Sequence, residues 1–410
     1  MTSEVRKRLL VTTSTLPCRD DDGEPRFVLD LSRALQRWYN VTILAPAHPD
    51  TPERHELSGV PIVRYRYAPL RRLETLAYPG AIGPHLKKRP MLWPLVPGML
   101  AGLRRATARL LAEQKFDCVH CHWAIPQGFV HSGLVRRGAS PPVVLTLHGG
   151  DVYTAKGAVK RAMIRRAFDT AAAVTVVSSA LKSHLLASPL WSFTDDDLEV
   201  IPMGCDLDSF SPDNRDESVF ADSGLPRPVI LFVGRLAEKK GLPGLLKAMA
   251  SPRLRATGAS VAIAGDGPLR EELERQTEAL SLADRIRFLG SVPHTRLPQV
   301  YASADLFCAP FVIAADGDSE GLPTVLSEAG ASGLASVVGD VGGVREIVAD
   351  GESGIVVAPG DVESLIDALA RVLEDEAERR RMAETALQRA PDYDWRRIAE
   401  RYAGIIEGVL

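Results

Sequence analysis

The feature that most constrains this chain is a recurring one. Short, continuous runs of Val, Ile, Leu and Ala keep returning, at 9–12, 41–45, 143–147, 173–177, 229–233, 260–264, 287–289, 305–308, 336–338 and 354–356. Most are closed by Gly, Pro, Asp or Ser and followed by a segment of helical period. An alternating run suits a strand with one wet face, whereas a continuous run suits a strand buried on both faces, as in parallel sheets. Strand and helix alternating over this length predict a doubly wound α/β architecture.

A chain of 410 residues is long for one core and comfortable for two. The stretch 202–228 holds Pro202, Gly204, Pro212, Gly224, Pro226 and Pro228 among many acids, the composition of a linker. The reading is therefore an N-terminal Rossmann-like domain over 1–208, a linker over 209–228, a second Rossmann-like domain over 229–394, and a helix at 395–410 returning to the first domain. Ligands of such sheets bind at the carboxyl ends of the strands, which predicts a deep cleft there.

A formal net charge of −3 gives no global attraction for nucleic acid, and no nucleic-acid-binding motif is present. Five cysteines, an odd number in a large chain, suggest no disulfide framework and a reducing compartment. The charged start lacks an apolar signal-peptide core, and the most apolar stretch, 91–103, is interrupted by Pro94 and Pro97 and is too short to span a bilayer. The expected location is cytoplasmic.

Three segments carry chemistry. In Glu320-Gly321-Leu322-Pro323-Thr324-Val325, with Glu328 further on, Pro323 stands where a helix would begin and Gly321 lets backbone approach a ligand. The free N–H groups of the first helical turn then form an anion site. In Gly234-Arg235-Leu236-Ala237-Glu238-Lys239-Lys240-Gly241, a strand ends at Gly234, and Arg235 and Lys240 suit a diphosphate, Arg as a fork and Lys as a point charge. In His148-Gly149-Gly150-Asp151, a strand end exposes an imidazole beside permissive backbone. Taken singly, each segment also fits a plain alternative: a solvated helix start, ordinary loop charge, a structural histidine.

Taken together, they resemble the large retaining family 4 of glycosyltransferases, of the two-domain GT-B fold. Glu320 and Glu328 have that family's Glu, seven residues, Glu spacing. The Gly-Arg-Leu at 234–236 with Lys-Gly at 240–241, the Ala264-Gly265-Asp266-Gly267-Pro268 turn and Gly342-Gly343-Val344-Arg345-Glu346 are similar to its motifs and stand in its order. So are Val177-Ser178-Ser179, Val200-Ile201-Pro202-Met203-Gly204-Cys205-Asp206 and the Phe-Ser-Pro at 210–212. The resemblance implies that Arg235 and Lys240 hold the diphosphate of a UDP- or GDP-sugar. It also implies that Glu328 meets the ribose, Glu320 faces the transferred sugar, and backbone around Gly321, Leu322, Pro323, Thr324 and Val325 takes phosphate oxygens. His148 would approach the reacting bond, with retention at the anomeric carbon and no metal or other cofactor. Breaking that bond leaves positive charge on the sugar and negative charge on the diphosphate, which these groups are suited to stabilise. The sequence leaves open whether Glu320 is a nucleophile.

The loop after the first strand departs from the family pattern. It has a single glycine, Gly23, in an acidic run. Gly23, Asp151 and His122 are the candidates for the acceptor side, the acceptor being a glycan, glycolipid or small metabolite. Three patterns tempt and are set aside. Cys118-Val119-His120-Cys121-His122 matches a haem-attachment string but lacks an export signal, and reads as the end of a buried strand. Asp316-Gly317-Asp318 matches the Asp-x-Asp of metal-dependent transferases but directly precedes Glu320. Gly265 to Arg270 begins like a dinucleotide fingerprint but has Arg270 where its third glycine belongs.

Between 64 and 110 stand Arg64, Arg66, Arg71, Arg72, Lys87, Lys88, Arg89, Arg104, Arg105 and Arg109 against Glu74, with Tyr65, Tyr67, Tyr78 and Trp93 interleaved. This asymmetry predicts either a peripheral contact with the inner face of a membrane or a site for an anionic acceptor, beside the plainer reading of a solvated face. The alternatives to a glycosyltransferase are a nucleotide-sugar epimerase or sugar phosphorylase of the same fold, an NAD-dependent oxidoreductase, and an inactive nucleotide-sugar-binding protein. The oxidoreductase is disfavoured because no Gly-x-Gly-x-x-Gly follows the first strand.

Overall fold

The computed structural model describes residues 6–78, 80, 82–221 and 224–410; the side chains of Pro84 and Lys87 also lie outside the described set. The chain forms two compact units, Met1–Met203 with Trp395–Leu410, and Gly204–Asp394.

The first unit is built on an eight-stranded sheet in the order β3-β4-β2-β1-β5-β6-β7-β8. Its strands are β1 (Arg8–Thr12), β2 (Asn40–Pro46), β3 (Arg54–Leu57), β4 (Val60–Tyr65), β5 (Cys118–His122), β6 (Val143–Leu147), β7 (Ala173–Val176) and β8 (Leu198–Val200). All neighbours pair in parallel except β3 with β4. The central strands β5 and β6 are buried at every residue, which is why their sequences run apolar without alternation. Strand order reverses between β1 and β5, so the loops leaving these two strands open a crevice at their carboxyl ends.

The helix Trp395–Val409 buries Trp395, Ile398, Ala399, Tyr402, Ala403 and Ile406, a stripe of helical period. It belongs to the first unit, where the Tyr39 hydroxyl donates to Glu407 at 2.9 Å and Arg401 to the Val200 carbonyl at 2.6 Å.

The second unit has a six-stranded, wholly parallel sheet in the order β11-β10-β9-β12-β13-β14. The strands are β9 (Val229–Val233), β10 (Ser260–Ala264), β11 (Ile286–Gly290), β12 (Leu306–Ala309), β13 (Ser336–Gly339) and β14 (Gly354–Val357). Here order reverses at β9 and β12, again a switch point. The stretch 209–228, expected as a linker, is part of this unit. Phe210, Phe220 and Leu225 are buried in one core with Val229, Tyr301 and Phe307, and the Cys205 N–H donates to the Tyr393 carbonyl at 2.7 Å. Its Pro and Gly content reads as a linker, but its few apolar residues are buried in that core. The unit therefore begins at Gly204 rather than after 208.

Candidate functional site

In the second unit the site forms around the switch point. Gly234 follows β9 directly, and its φ of +149° continues the chain into the loop carrying Arg235. The β10 loop presses against it: a Cβ on Gly265 would stand 2.0 Å from the Gly234 carbonyl oxygen, and one on Gly267 would stand 2.5 Å from that of Leu236. The glycines at 265 and 267 thus serve close backbone packing. Gly241, left-handed at φ +69°, admits the Pro310 carbonyl to within 1.7 Å of where a Cβ would lie. It turns the chain so that Lys239 and Lys240 approach the segment after β12.

That segment carries Glu320. Its Oε1 lies 3.3 Å from the Nζ of both Lys239 and Lys240. Burial by itself would raise this carboxyl, but the ammonium of Lys240 and then that of Lys239 outweigh it, drawing the pKa down to about 2. Lys239 also lies 3.4 Å from Asp318, and Lys240 sits 4.9 Å above the Phe311 ring. Asp318 therefore lies beside a cation, and among the described residues no group of three or more His, Cys, Asp or Glu is placed to hold a metal ion. Arg235 is half-buried, and its side chain has no hydrogen-bond or ion-pair partner among the described residues.

The helix Thr324–Ala331 begins directly after this loop. Pro323 is its N-cap residue, one position earlier than a first helical residue, and supplies no capping bond. The N–H groups of Thr324 and Val325 are thus left for a ligand. Gly342 and Gly343 hold the loop from behind. The Gly343 N–H donates to the Gly321 carbonyl at 2.8 Å, and a Cβ on Gly342 would stand 2.1 Å from the Glu320 carbonyl oxygen. Glu328, farther along the helix, accepts the Tyr301 hydroxyl at 2.7 Å. Leu322 and Val325 are half-buried against the core.

In the first unit, His148 follows β6 and stands partly exposed at the carboxyl edge of the sheet. Its Nε2 is 2.9 Å from Nδ1 of His122. His122 was expected to line the acceptor surface; it is wholly buried behind His148, because the last residue of β5 is covered by neighbouring strands and rings. Burial holds His148 down to about 3, with His120 adding repulsion, and holds His122 well below the ordinary value. Asp151 is buried, and its carboxylate accepts the Ala124 N–H at 2.8 Å; burial raises its pKa. Gly23 is exposed and is not among the left-handed glycines. The loop is shaped instead by buried Asp22, which accepts the N–H groups of Cys18 and Glu24.

The sequence reading passed over Lys239, Gly342 as the support of Glu320, and Trp123. Lys239 was visible beside Lys240 and Trp123 beside His122. What these positions touch depends on chain segments far away in sequence.

The basic stretch divides into two sets. Arg64 is buried and donates to the carbonyls of Pro46 and Pro17; Arg66 pairs with buried Glu74, and Arg109 with Glu53 and Glu113. Arg72, Lys88, Arg89, Arg104 and Arg105 are exposed, with Met91 82% and Trp93 58% exposed nearby in sequence. Lys87 lies outside the described side chains. No helix among the described residues is long and apolar enough to cross a membrane.

Residues 22–209 match the family model Glycosyltransferase Family 4, and residues 215–389 match Glycosyl transferases group 1. The chain is 33% identical over 304 residues to a GDP-mannose-dependent alpha-(1-6)-phosphatidylinositol monomannoside mannosyltransferase of Mycolicibacterium smegmatis, covering 73% of this chain and 78% of the relative. It is 30% identical over 308 residues to a phosphatidyl-myo-inositol mannosyltransferase of the same organism, covering 74% of each. Sucrose-phosphate synthase from Thermosynechococcus elongatus superposes with a TM-score of 0.80 at 21% identity over 98% of this chain and 99% of that one, a likeness of fold. The fold is GT-B, and the chain belongs to the family 4, group 1 glycosyl transferases: it is a glycosyltransferase.

Proposed function

We propose that the enzyme moves a hexosyl group from a UDP- or GDP-sugar to an acceptor hydroxyl, with retention at the anomeric carbon and without a metal. The observation that carries this is the charge arrangement after β9. The Arg235 side chain stands without a partner among the described residues, and Lys239 and Lys240 share Glu320, beside the uncapped start of the helix Thr324–Ala331. A donor diphosphate takes Arg235, Lys240 and the N–H groups of Thr324 and Val325. These groups then hold the negative charge that grows as the glycosidic bond breaks. Glu320, kept ionised, faces the positive charge that develops on the sugar, and Glu328 takes the ribose hydroxyls. His148 and Asp151 lie on the acceptor side.

GDP-mannose is the first donor to test, because two relatives are named as mannosyltransferases and one as GDP-mannose-dependent. Those relatives are named for phosphatidylinositol-based acceptors. The exposed Met91 and Trp93, flanked by Lys88, Arg89, Arg104 and Arg105, suit peripheral contact with the inner face of a membrane carrying such an acceptor. The test is calorimetric titration with GDP, UDP, ADP and NAD in the presence of EDTA, followed by transfer assays and NMR of the product's anomeric configuration. Tight binding of GDP or UDP and an α-linked product are the expected results; binding of NAD alone overturns the reading.

A further inference from the structure

Trp123 has a backbone that tryptophan rarely adopts. It follows the last residue of β5 with φ +73° and ψ +139°. A positive φ at a bulky residue is a strained outlier that persists only where surrounding contacts hold it. Here they are identifiable. The Trp123 N–H donates to the Thr146 carbonyl at 2.9 Å, and the next N–H, that of Ala124, donates to Asp151 at 2.8 Å. The conformation brings three rings together. Trp123 stands 4.6 Å from His148 and 5.9 Å from Phe27, and Phe27 stands 5.0 Å from His148, centroid to centroid.

These rings do not form a sealed core. Phe27, Trp123 and His148 are each only half-buried. Trp123 and His148 follow directly after β5 and β6, and Phe27 closes the loop that leaves β1. The three strands are adjacent and parallel, so the rings gather at the carboxyl edge, at the switch point. The Asp151 carboxylate that fastens Ala124 is itself buried, out of solvent's reach beside the backbone of His148, so it braces the turn from behind. A strained, partly open aromatic face at the switch point suits a ligand with C–H bonds on one ring face. Those C–H bonds carry slight positive charge and favour the negative face of an indole.

We infer that Trp123 is an acceptor-specificity residue: its indole, propped on His148 and Phe27, stacks on a pyranose or cyclitol ring of the acceptor. This rests on the proposed transferase reading. Trp123→Gly removes the ring while relieving the backbone, since glycine adopts this conformation without strain; Trp123→Phe keeps an aromatic face.

The experiment compares both variants with the wild type, using GDP-mannose or UDP-glucose as donor and methyl α-D-mannopyranoside or myo-inositol as acceptor, beside the GDP and UDP dissociation constants by calorimetry. The expected result is an acceptor KM at least tenfold higher in Trp123→Gly and within about threefold of wild type in Trp123→Phe, with nucleoside diphosphate affinity within twofold for both. An unchanged acceptor KM in Trp123→Gly overturns the inference while leaving the transferase reading intact. A parallel loss of nucleotide affinity and melting temperature shows a merely structural tryptophan and also overturns it. A wild type that binds neither nucleotide and transfers to neither acceptor sinks the proposed function, and this inference with it.

Discussion

The carboxylate of Glu320 lies 3.3 Å from the ammonium nitrogen of Lys240, and both groups are nearly closed off from solvent, at 13% and 11% side-chain exposure. Their relationship is electrostatic, because a carboxylate buried to this degree stays ionised only while a cation accompanies it. Lys240→Ala is expected to weaken GDP or UDP binding at least tenfold, as befits the loss of a charge-assisted contact, and to lower kcat by about a hundredfold or more. Calorimetry and steady-state kinetics check the two effects separately.

Glu320 also carries a pH signature. Its folded pKa of about 2 lies below its ordinary 4.5, so the unfolded chain takes up the proton first as pH falls. The stabilisation, on the order of 3 kcal/mol, is fully present above about pH 4.5 and is lost as pH drops towards 2. Urea unfolding of wild type and Glu320→Gln at several pH values should show a gap near neutrality that closes below pH 4.5. A gap independent of pH would show that the ion pair is not its origin.

Three histidines act in a higher window. His120 and His148 are held down to about 3 and His131 to about 4, each by burial first. Their unfolded values lie near 6.5, so stability is present above pH 6.5 and falls as the unfolded chain gains protons below it. In His131, both ring nitrogens are buried without hydrogen-bond partners among the described residues. His131→Phe should therefore flatten the fall in unfolding free energy by about 1.4 kcal/mol per pH unit between roughly pH 6.5 and 4. The dependence of the urea midpoint on pH is the measurement.

Gly342 supports Glu320 from a distance in sequence. Its φ is +50°, and an added Cβ would stand 2.1 Å from the Glu320 carbonyl oxygen. Gly342→Ala is expected to displace the loop and weaken nucleotide binding several-fold, although position 342 need touch no ligand. Gly351→Ala is the control: φ is +78° there but the space is open. It should cost about 1 kcal/mol of stability and leave nucleotide affinity alone.

The exposed apolar pair predicts a surface behaviour. Replacing Met91 and Trp93, 82% and 58% exposed, by Ser should lower cosedimentation with vesicles containing phosphatidylglycerol several-fold, and added salt should weaken what remains. Equal binding by wild type and double variant would remove the membrane reading.

Much of the molecule was legible before any coordinate. Strands such as β6, β9 and β10 announce themselves because a strand buried on both faces must be apolar at successive positions. The residues proposed for the donor side announce themselves because a tight turn, a helix start and their charges occupy neighbouring positions. β3 and β8, short outer strands without a continuous apolar run, gave no such signal. The stretch at 209–228 misled because Pro and Gly mark an irregular path whether or not that path is buried.

The sequence by itself determined the alternation of strand and helix, and the motifs proposed to meet a nucleotide sugar, since both depend on local periodicity and on residues contiguous in the chain. Only the tertiary structure decided that His122 stands behind His148, that Lys239 and Lys240 converge on Glu320, that Gly342 carries the loop of Glu320, and that Trp123 is held at a positive φ. Each of these relationships joins residues from separate loops or strands. Sheet order and close backbone packing set such distances, and a local pattern of residues has no means of encoding them.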